Sequence, residues 1–434
     1  MQLLRRNVAV LRSLLAAAIY LSLSSEVLAR QWVEEDFWPR EVKTYTFTPP
    51  SPSSPESEDT LIGEVLVYQP EKGDTFFDLA RFFDLGYNEL VDANPGVDEW
   101  IPGHFDKPVI VPQQFILPYG TYNGIVINVP EMRLYYYRGD GKNTPRSVIT
   151  FPVGLGREEW KTPIGKFKVT EKTVNPTWVI PESIRKERIA EKGYSEKVIP
   201  GGSPNNPLGK YRMRLSLDLY GIHGTNIPWG VGMLVSHGCV RLYPEDIEKL
   251  FPMVPVGTPG VFVYQPVKIG MSGGRVFVEV HKDLYGMKPG MYRETVRMLE
   301  QRGLLDRVDE EKLREAVLAQ SGMPVDVTLG DEPSSERPRE VELPSLPERP
   351  QSAERAPLPP RDAIDRRPPP DTREVAPAVD DLADERLQPA SGRVPPPPAR
   401  PVPSARRPTQ AAEPVLLPTE IIVPRSRTPE VAED

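Results

Sequence analysis

The sequence predicts a multidomain chain whose main unit is mostly β, with a small α+β unit before it and a long segment after it that does not fold. Three observations lead there. Between residues 122 and 170 apolar side chains recur with period two, as in Ile125, Ile127 and Val129, the alternation that strands impose. Residues 64–112 instead carry two short helical stretches between apolar runs. The 434-residue chain holds 52 prolines, clustered toward its ends, and proline is excluded from helix interiors and central strands.

In chain order, Arg5, Arg6 and Arg12 precede an apolar run over residues 14–23 and then Ala29. This is the pattern of a secretory signal over residues 1–29, too short to span a bilayer comfortably; cleavage after Ala29 is expected, with a retained anchor as the alternative. The expected location is the periplasm, with no membrane span after cleavage. Residues 30–63 join an aromatic and acidic patch to a Pro/Ser-rich stretch and read as a linker. In residues 64–113, Gly73, Asp74 and Thr75 form a turn that caps a helix over 76–83. A second helix over 87–93 stops at Asn94, Pro95 and Gly96, giving strand, two helices, strand.

The β unit covers residues 119–266. Strands are expected at 125–129, 134–137, 147–153, 165–170, 213–219 and 260–264, with turns at 139–142 and 154–156, making a mixed and antiparallel sheet. Pro244, followed by Glu245 and Asp246, starts a helix over 244–251. Residues 267–330 hold a hairpin over 268–280 and amphipathic helices over 289–302 and 310–319, an accessory subdomain. Residues 331–434 are rich in Pro, Arg, Glu, Asp, Ala and Ser and cannot bury enough apolar surface to offset the entropy of ordering. They read as a disordered tail with polyproline II stretches, and residues 415–423 form its one apolar patch.

The net charge of −8, with no block of Lys and Arg, argues against a nucleic-acid partner. Chemistry concentrates in residues 221–242, which contain the chain's only cysteine and two of its four histidines. A cysteine reacts as thiolate, and an imidazole is the usual means of forming one. His237 stands two residues from Cys239, which in an extended strand puts both on one face, whereas His223 reaches the sulfur only if the chain folds back. Gly224, Pro228, Gly230 and Gly232 supply that fold. A structural zinc site wants four ligands, and there is no second cysteine, while His104 and His281 lie in other units. No metal or cofactor is expected. A thiol without a partner in an exported chain stays free.

His223 followed by Ser236, His237, Gly238 and Cys239 resembles the motif of the YkuD-type L,D-transpeptidases, and the likeness extends over residues 119–265. Arg241, two residues after the cysteine where some members carry Asn, resembles the ErfK/YbiS-like Gram-negative subgroup that attaches lipoprotein to peptidoglycan. Residues 64–113 resemble a LysM module in Gly73-Asp74-Thr75, Leu79-Ala80, Asn94-Pro95 and 109–112. The resemblance implies a β-sandwich of the L,D-transpeptidase type. It implies Cys239 as nucleophile, His223 as base, the Gly224 carbonyl orienting the imidazole, and backbone amides around Gly238 and Cys239 holding the oxyanion. Ser236, His237 and Arg241 would contact substrate, Arg241 through a carboxylate of the stem or acceptor.

The implied reaction is attack on the meso-diaminopimelate carbonyl of a peptidoglycan tetrapeptide stem, release of D-Ala, and transfer from the thioester to an amine. That amine is a second diaminopimelate or the lysine of an outer-membrane lipoprotein. The LysM likeness implies binding to peptidoglycan glycan, or else a unit that only packs on the enzyme. The alternatives are an L,D-carboxypeptidase using water, and a LysM binding protein without transferase activity. A papain-like hydrolase has its cysteine before its histidine, the reverse of the order here.

Overall fold

The computed structural model describes residues 41–104, 107–138, 146–330 and 339–340. These belong to one compact unit, residues 1–376; a second, 377–434, lies outside the described residues, as does the expected signal at 1–29. The strands are β1 (Tyr45–Phe47), β2 (Leu61–Tyr68), β3 (Val109–Ile116), β4 (Gly124–Asn128), β5 (Arg133–Arg138), β6 (Arg146–Pro152), β7 (Leu155–Gly156), β8 (Gly165–Val174), β9 (Trp178–Val179) and β10 (Val198–Ile199). They continue as β11 (Tyr211–Leu215), β12 (Gly221–His223), β13 (Leu234–Ser236), β14 (Val240–Arg241), β15 (Pro259–Val263), β16 (Val267–Ser272), β17 (Arg275–Val280), β18 (Pro324–Asp326) and β19 (Arg339–Glu340). The helices are α1 (Phe76–Phe82), α2 (Tyr87–Ala93), α3 (Glu182–Lys192), α4 (Pro244–Met253), α5 (Met291–Gln301) and α6 (Glu310–Ala319).

The main sheet has nine strands in the order β1-β6-β5-β4-β15-β8-β11-β12-β14. It is mixed: β15 runs parallel to β4 and β14 parallel to β12, while the other pairings within it are antiparallel. Period two sorts the side chains cleanly. Ile125, Ile127, Leu134, Tyr136, Ile149 and Phe151 join one core with Met213, Ile222, Val240 and Leu242, whereas Val126, Tyr135, Tyr137 and Val148 face the other way. Expecting one solvated face would be wrong here, because β4 is buried on both.

The second face is covered by the unit of residues 61–116. Thr75 caps α1 with its hydroxyl accepting from the Asp78 amide at 3.2 Å, and Asp78 answers in a capping box. Its core residues Phe76, Leu79, Leu85 and Leu90 belong to the same buried cluster as Val126, Tyr135 and Tyr137. Burial of each such side chain contributes roughly 1.5–3 kcal/mol, so the unit is fastened by a shared core. Polar contacts add orientation: Arg81 grips Glu245 of α4 with two bonds of 2.9 and 3.0 Å, and Arg133 of β5 grips Glu89 of α2 at 2.7 and 2.8 Å. Burial alone would lower the Arg133 guanidinium, but Glu89 carries it well above the usual range.

Three expectations need correction. Residues 30–63 are not a linker over their described part. β1 forms an edge of the main sheet, and Phe47 is buried against Tyr122 and Tyr137 at ring separations of 5.2 and 5.5 Å. Tyr45 and Phe47 flank Thr46 in a period-two pattern too short to stand out beside the prolines. The tail contributes β19, which pairs in parallel with β2, so Arg339 and Glu340 are ordered; the rest of 331–434 lies outside the described residues. The strand expected over 213–219 is β11, ending at Leu215, after which Leu219 adopts a φ of +69° in a tight turn.

The accessory unit is the hairpin β16–β17, turned at Gly273 and Gly274 with φ of +56° and +78°. β18, α5 and α6 complete it around their own apolar cluster. It joins the rest through Lys268, wholly buried between Glu131 at 2.8 Å and Glu279 at 2.7 Å. Glu279 also accepts from the Ile116 amide at 2.6 Å. One polar knot thus touches all three units. Among the described residues no helix is long and apolar enough to cross a membrane.

Candidate active site

Strands β11, β12 and β14 carry the chemistry at one end of the main sheet. The register pairs Arg212 with His223 and His223 with Arg241. Since Met213, Ile222 and Val240 are in the core, the alternate residues Arg212, His223 and Arg241 share the opposite face. Cys239 precedes β14, level with Gly221, and so lies diagonally from His223 on that face.

Nδ1 of His223 is 2.6 Å from the Gly224 carbonyl. A carbonyl only accepts, so Nδ1 carries the proton and Nε2 is left as an acceptor. Burial and the charge of Arg241 push the imidazole down to about 3, with the bond to Gly224 working against them and Arg212 with them. Burial also pushes the Cys239 thiol up, against the Gly221 amide and the charges of Arg212 and Arg241. The resting pair is therefore neutral thiol and neutral imidazole, not a preformed ion pair. In the resting geometry the thiol donates to the Leu219 carbonyl at 3.5 Å.

A pH prediction follows from the signs. Because the thiol sits above its ordinary range, alkylation of Cys239 by iodoacetamide should climb through the alkaline region, as followed by intact mass between pH 5 and 10. A plateau already reached near pH 6 would mean that a thiolate–imidazolium pair exists at rest.

The turn before the cysteine is fixed by its own backbone. Gly238 has a φ of +101°, and a Cβ there would come 2.6 Å from the Tyr220 ring, so only glycine fits. Ser236 Oγ accepts from the Gly238 amide at 3.0 Å and donates to the Cys239 carbonyl at 2.7 Å, and Thr162 donates to the Gly238 carbonyl at 3.1 Å. One expectation changes as a result. The Gly238 amide is committed to Ser236 and is not available to an oxyanion, whereas the Cys239 amide makes no bond among the described residues. Ser236 is buried, and its hydroxyl holds the turn.

His237 does not share a face with Cys239, because the turn at Gly238 breaks the extended geometry which that reading assumed. Its Nε2 lies 2.5 Å from Glu187 of α3 and 3.1 Å from Arg157, and its ring packs on Trp160 at 5.2 Å. Arg157 in turn donates to Glu187 at 2.6 Å. Burial would raise the Glu187 carboxyl, but hydrogen bonds from Arg157 and His237 carry it below the usual range. His237 thus ties α3 to the cysteine turn. Arg241 carries no such partner among the described residues; burial lowers its guanidinium, and its Nε is buried without a hydrogen bond there. Arg212 and Glu187 carry no local signal, since long-range pairing alone brings them here; Arg157 and Thr162 lie within the stretch 119–265 that resembles the family.

The only three-ligand cluster of metal-binding type among the described residues is Glu131, Glu279 and His281, far along the chain from Cys239. The Lys268 ammonium already lies between the two carboxylates.

Comparison with known proteins converges with this geometry. Residues 122–269 match the family model YkuD, described as an L,D-transpeptidase catalytic domain. The chain is 39% identical over 286 residues to the probable L,D-transpeptidase YbiS of Escherichia coli (strain K12), covering 62% of this chain and 90% of that protein. The probable L,D-transpeptidase ErfK/SrfK of Salmonella typhimurium (strain LT2) is 35% identical, covering 64% of this chain and 90% of that one. A solved L,D-transpeptidase from Mycobacterium smegmatis is similar over 38% of this chain and 64% of that one, at 19% identity and a TM-score of 0.25. With an imidazole and a free thiol on one sheet face, and relatives matched over nearly their full length, the chain belongs to the YkuD-type L,D-transpeptidases, is ErfK/YbiS-like among them, and is a peptidoglycan transpeptidase.

Proposed function

We propose that the protein is an exported, periplasmic enzyme in which Cys239 attacks the meso-diaminopimelate carbonyl of a tetrapeptide stem, releases D-Ala and passes the acyl group to an amine. The observation that carries this reading is the imidazole of His223, its Nδ1 held by Gly224 at 2.6 Å and its Nε2 left as acceptor on the face that Cys239 shares. In this reading the thiol leaves the Leu219 carbonyl and gives its proton to Nε2. The C–S bond then forms, the C–N bond breaks, and the imidazolium returns the proton to the departing amine. The unpaired Cys239 amide serves the oxyanion. A backbone carbonyl takes the orienting role that an aspartate plays in a triad.

The acceptor amine is a second diaminopimelate, giving a cross-link, or the lysine of an outer-membrane lipoprotein, giving an anchor. Residues 61–116 carry the strand, two helices and strand of a LysM-like unit, which we assign to glycan. Incubation of the enzyme with disaccharide tetrapeptide and mass spectrometry of the products tests the reaction. Joined products with loss of D-Ala are expected; tripeptide alone would make the protein a carboxypeptidase, and unchanged tetrapeptide would leave a binding protein.

A further inference from the structure

Arg212, His223 and Arg241 form one transverse row across β11, β12 and β14, with a guanidinium on each side of the imidazole. The Arg212 side chain lies over Gly221, where a Cβ would come 3.3 Å from its Nε. Gly221 is level with Cys239, and its amide is directed at the sulfur. Both positive charges act on the thiol as well as on the imidazole. Yet neither guanidinium has an ion pair or side-chain hydrogen bond among the described residues, while Arg133 and Arg157 each hold a carboxylate. Two unpaired cations beside a nucleophile, one of them with a buried and unbonded Nε, form a site that an anion completes.

We propose that Arg212 and Arg241 form a clamp for the free C-terminal carboxylate of the donor peptide, one residue beyond the carbonyl that Cys239 attacks, so that the clamp measures donor length. This rests on the reading of Cys239 as nucleophile toward a peptide stem. A residue spans at most about 3.3–3.6 Å, so a donor longer by one residue displaces its carboxylate beyond bidentate hydrogen-bond range. The leaving group carries the carboxylate away as the C–N bond breaks, which empties the clamp before the acceptor amine arrives. Arg212 is thus a specificity-determining residue that no local motif marks.

The test uses the full chain and three tetrapeptide donors: the free acid, its C-terminal amide, and one amidated instead on the side-chain carboxylate of diaminopimelate. Acyl-enzyme formation on Cys239 is read by intact mass, with iodoacetamide alkylation reporting the state of the thiol. The terminal amide should acylate wild type about a hundredfold more slowly than the free acid. Arg212→Met should lose that discrimination, and Arg212→Lys should keep part of it. Equal acylation by all three donors, or discrimination that survives in Arg212→Met, overturns the clamp alone. A loss confined to the side-chain amide overturns the assignment to the terminal carboxylate. Failure of all three donors to acylate a thiol that still alkylates removes the donor reading, and the clamp with it.

Discussion

Replacing His223 with glutamine is expected to slow acyl-enzyme formation by about a thousandfold, the middle of the range for losing a positioned base. The effect should be large because burial holds the thiol above its ordinary range and the neighbouring arginines only partly offset it. Without Nε2 as acceptor, the proton has no route out of the half-buried site. Thioester appearance on intact protein, followed with a tetrapeptide donor, gives the rate. Alkylation at high pH, where solvent hydroxide removes the proton, should fall far less. A loss below tenfold in acylation would show that the sulfur ionises without the imidazole.

Lys268→Met should destabilise the fold by about 3–5 kcal/mol, the usual cost of removing one partner from a buried ion pair. The ammonium is wholly buried and is shared by Glu131 and Glu279. Burial would raise Glu131, but Lys268 and His281, with hydrogen bonds from Lys268 and Tyr135, carry it below the usual range. In wild type that carboxylate contributes stability that is present above the unfolded value and lost as pH falls through the folded one. In the variant the sign reverses, because an unpaired buried carboxylate favours its proton and is most costly at neutral pH. Urea unfolding of the two proteins at pH 7 and pH 4 should therefore show a gap that narrows in acid. An equal gap at both values would place the damage in packing.

The part of the site that was legible in the sequence is the part with local chemistry. Cys239 and His223 stand out as residue types at a recognisable spacing, and Gly224 stands beside one of them. The cap at the start of α1 and the hairpin over 268–280 are local as well, so they read directly. Arg212 is different: it reaches the sulfur only through the antiparallel register of β11 on β12, which no short stretch encodes. Glu187 likewise meets His237 across 50 residues of chain. His237 shows the converse. A spacing of two implies one face only in extended backbone, and Gly238 ends the extension. β1 escaped notice because three residues between proline-rich neighbours give periodicity too little to work on, although Phe47 is 1% exposed.

The core that residues 61–116 share with β4, β5 and β6 sets an order on how the molecule can be completed. As the polypeptide is made from its amino terminus, α1 and α2 exist before the sheet that will cover them, and Phe76 and Leu90 have no finished surface to meet until residues up to 152 have followed. β15 must then slot between β4 and β8. The early half is therefore synthesised before the surface that covers its apolar flank, an exposure of the kind that holding chaperones recognise.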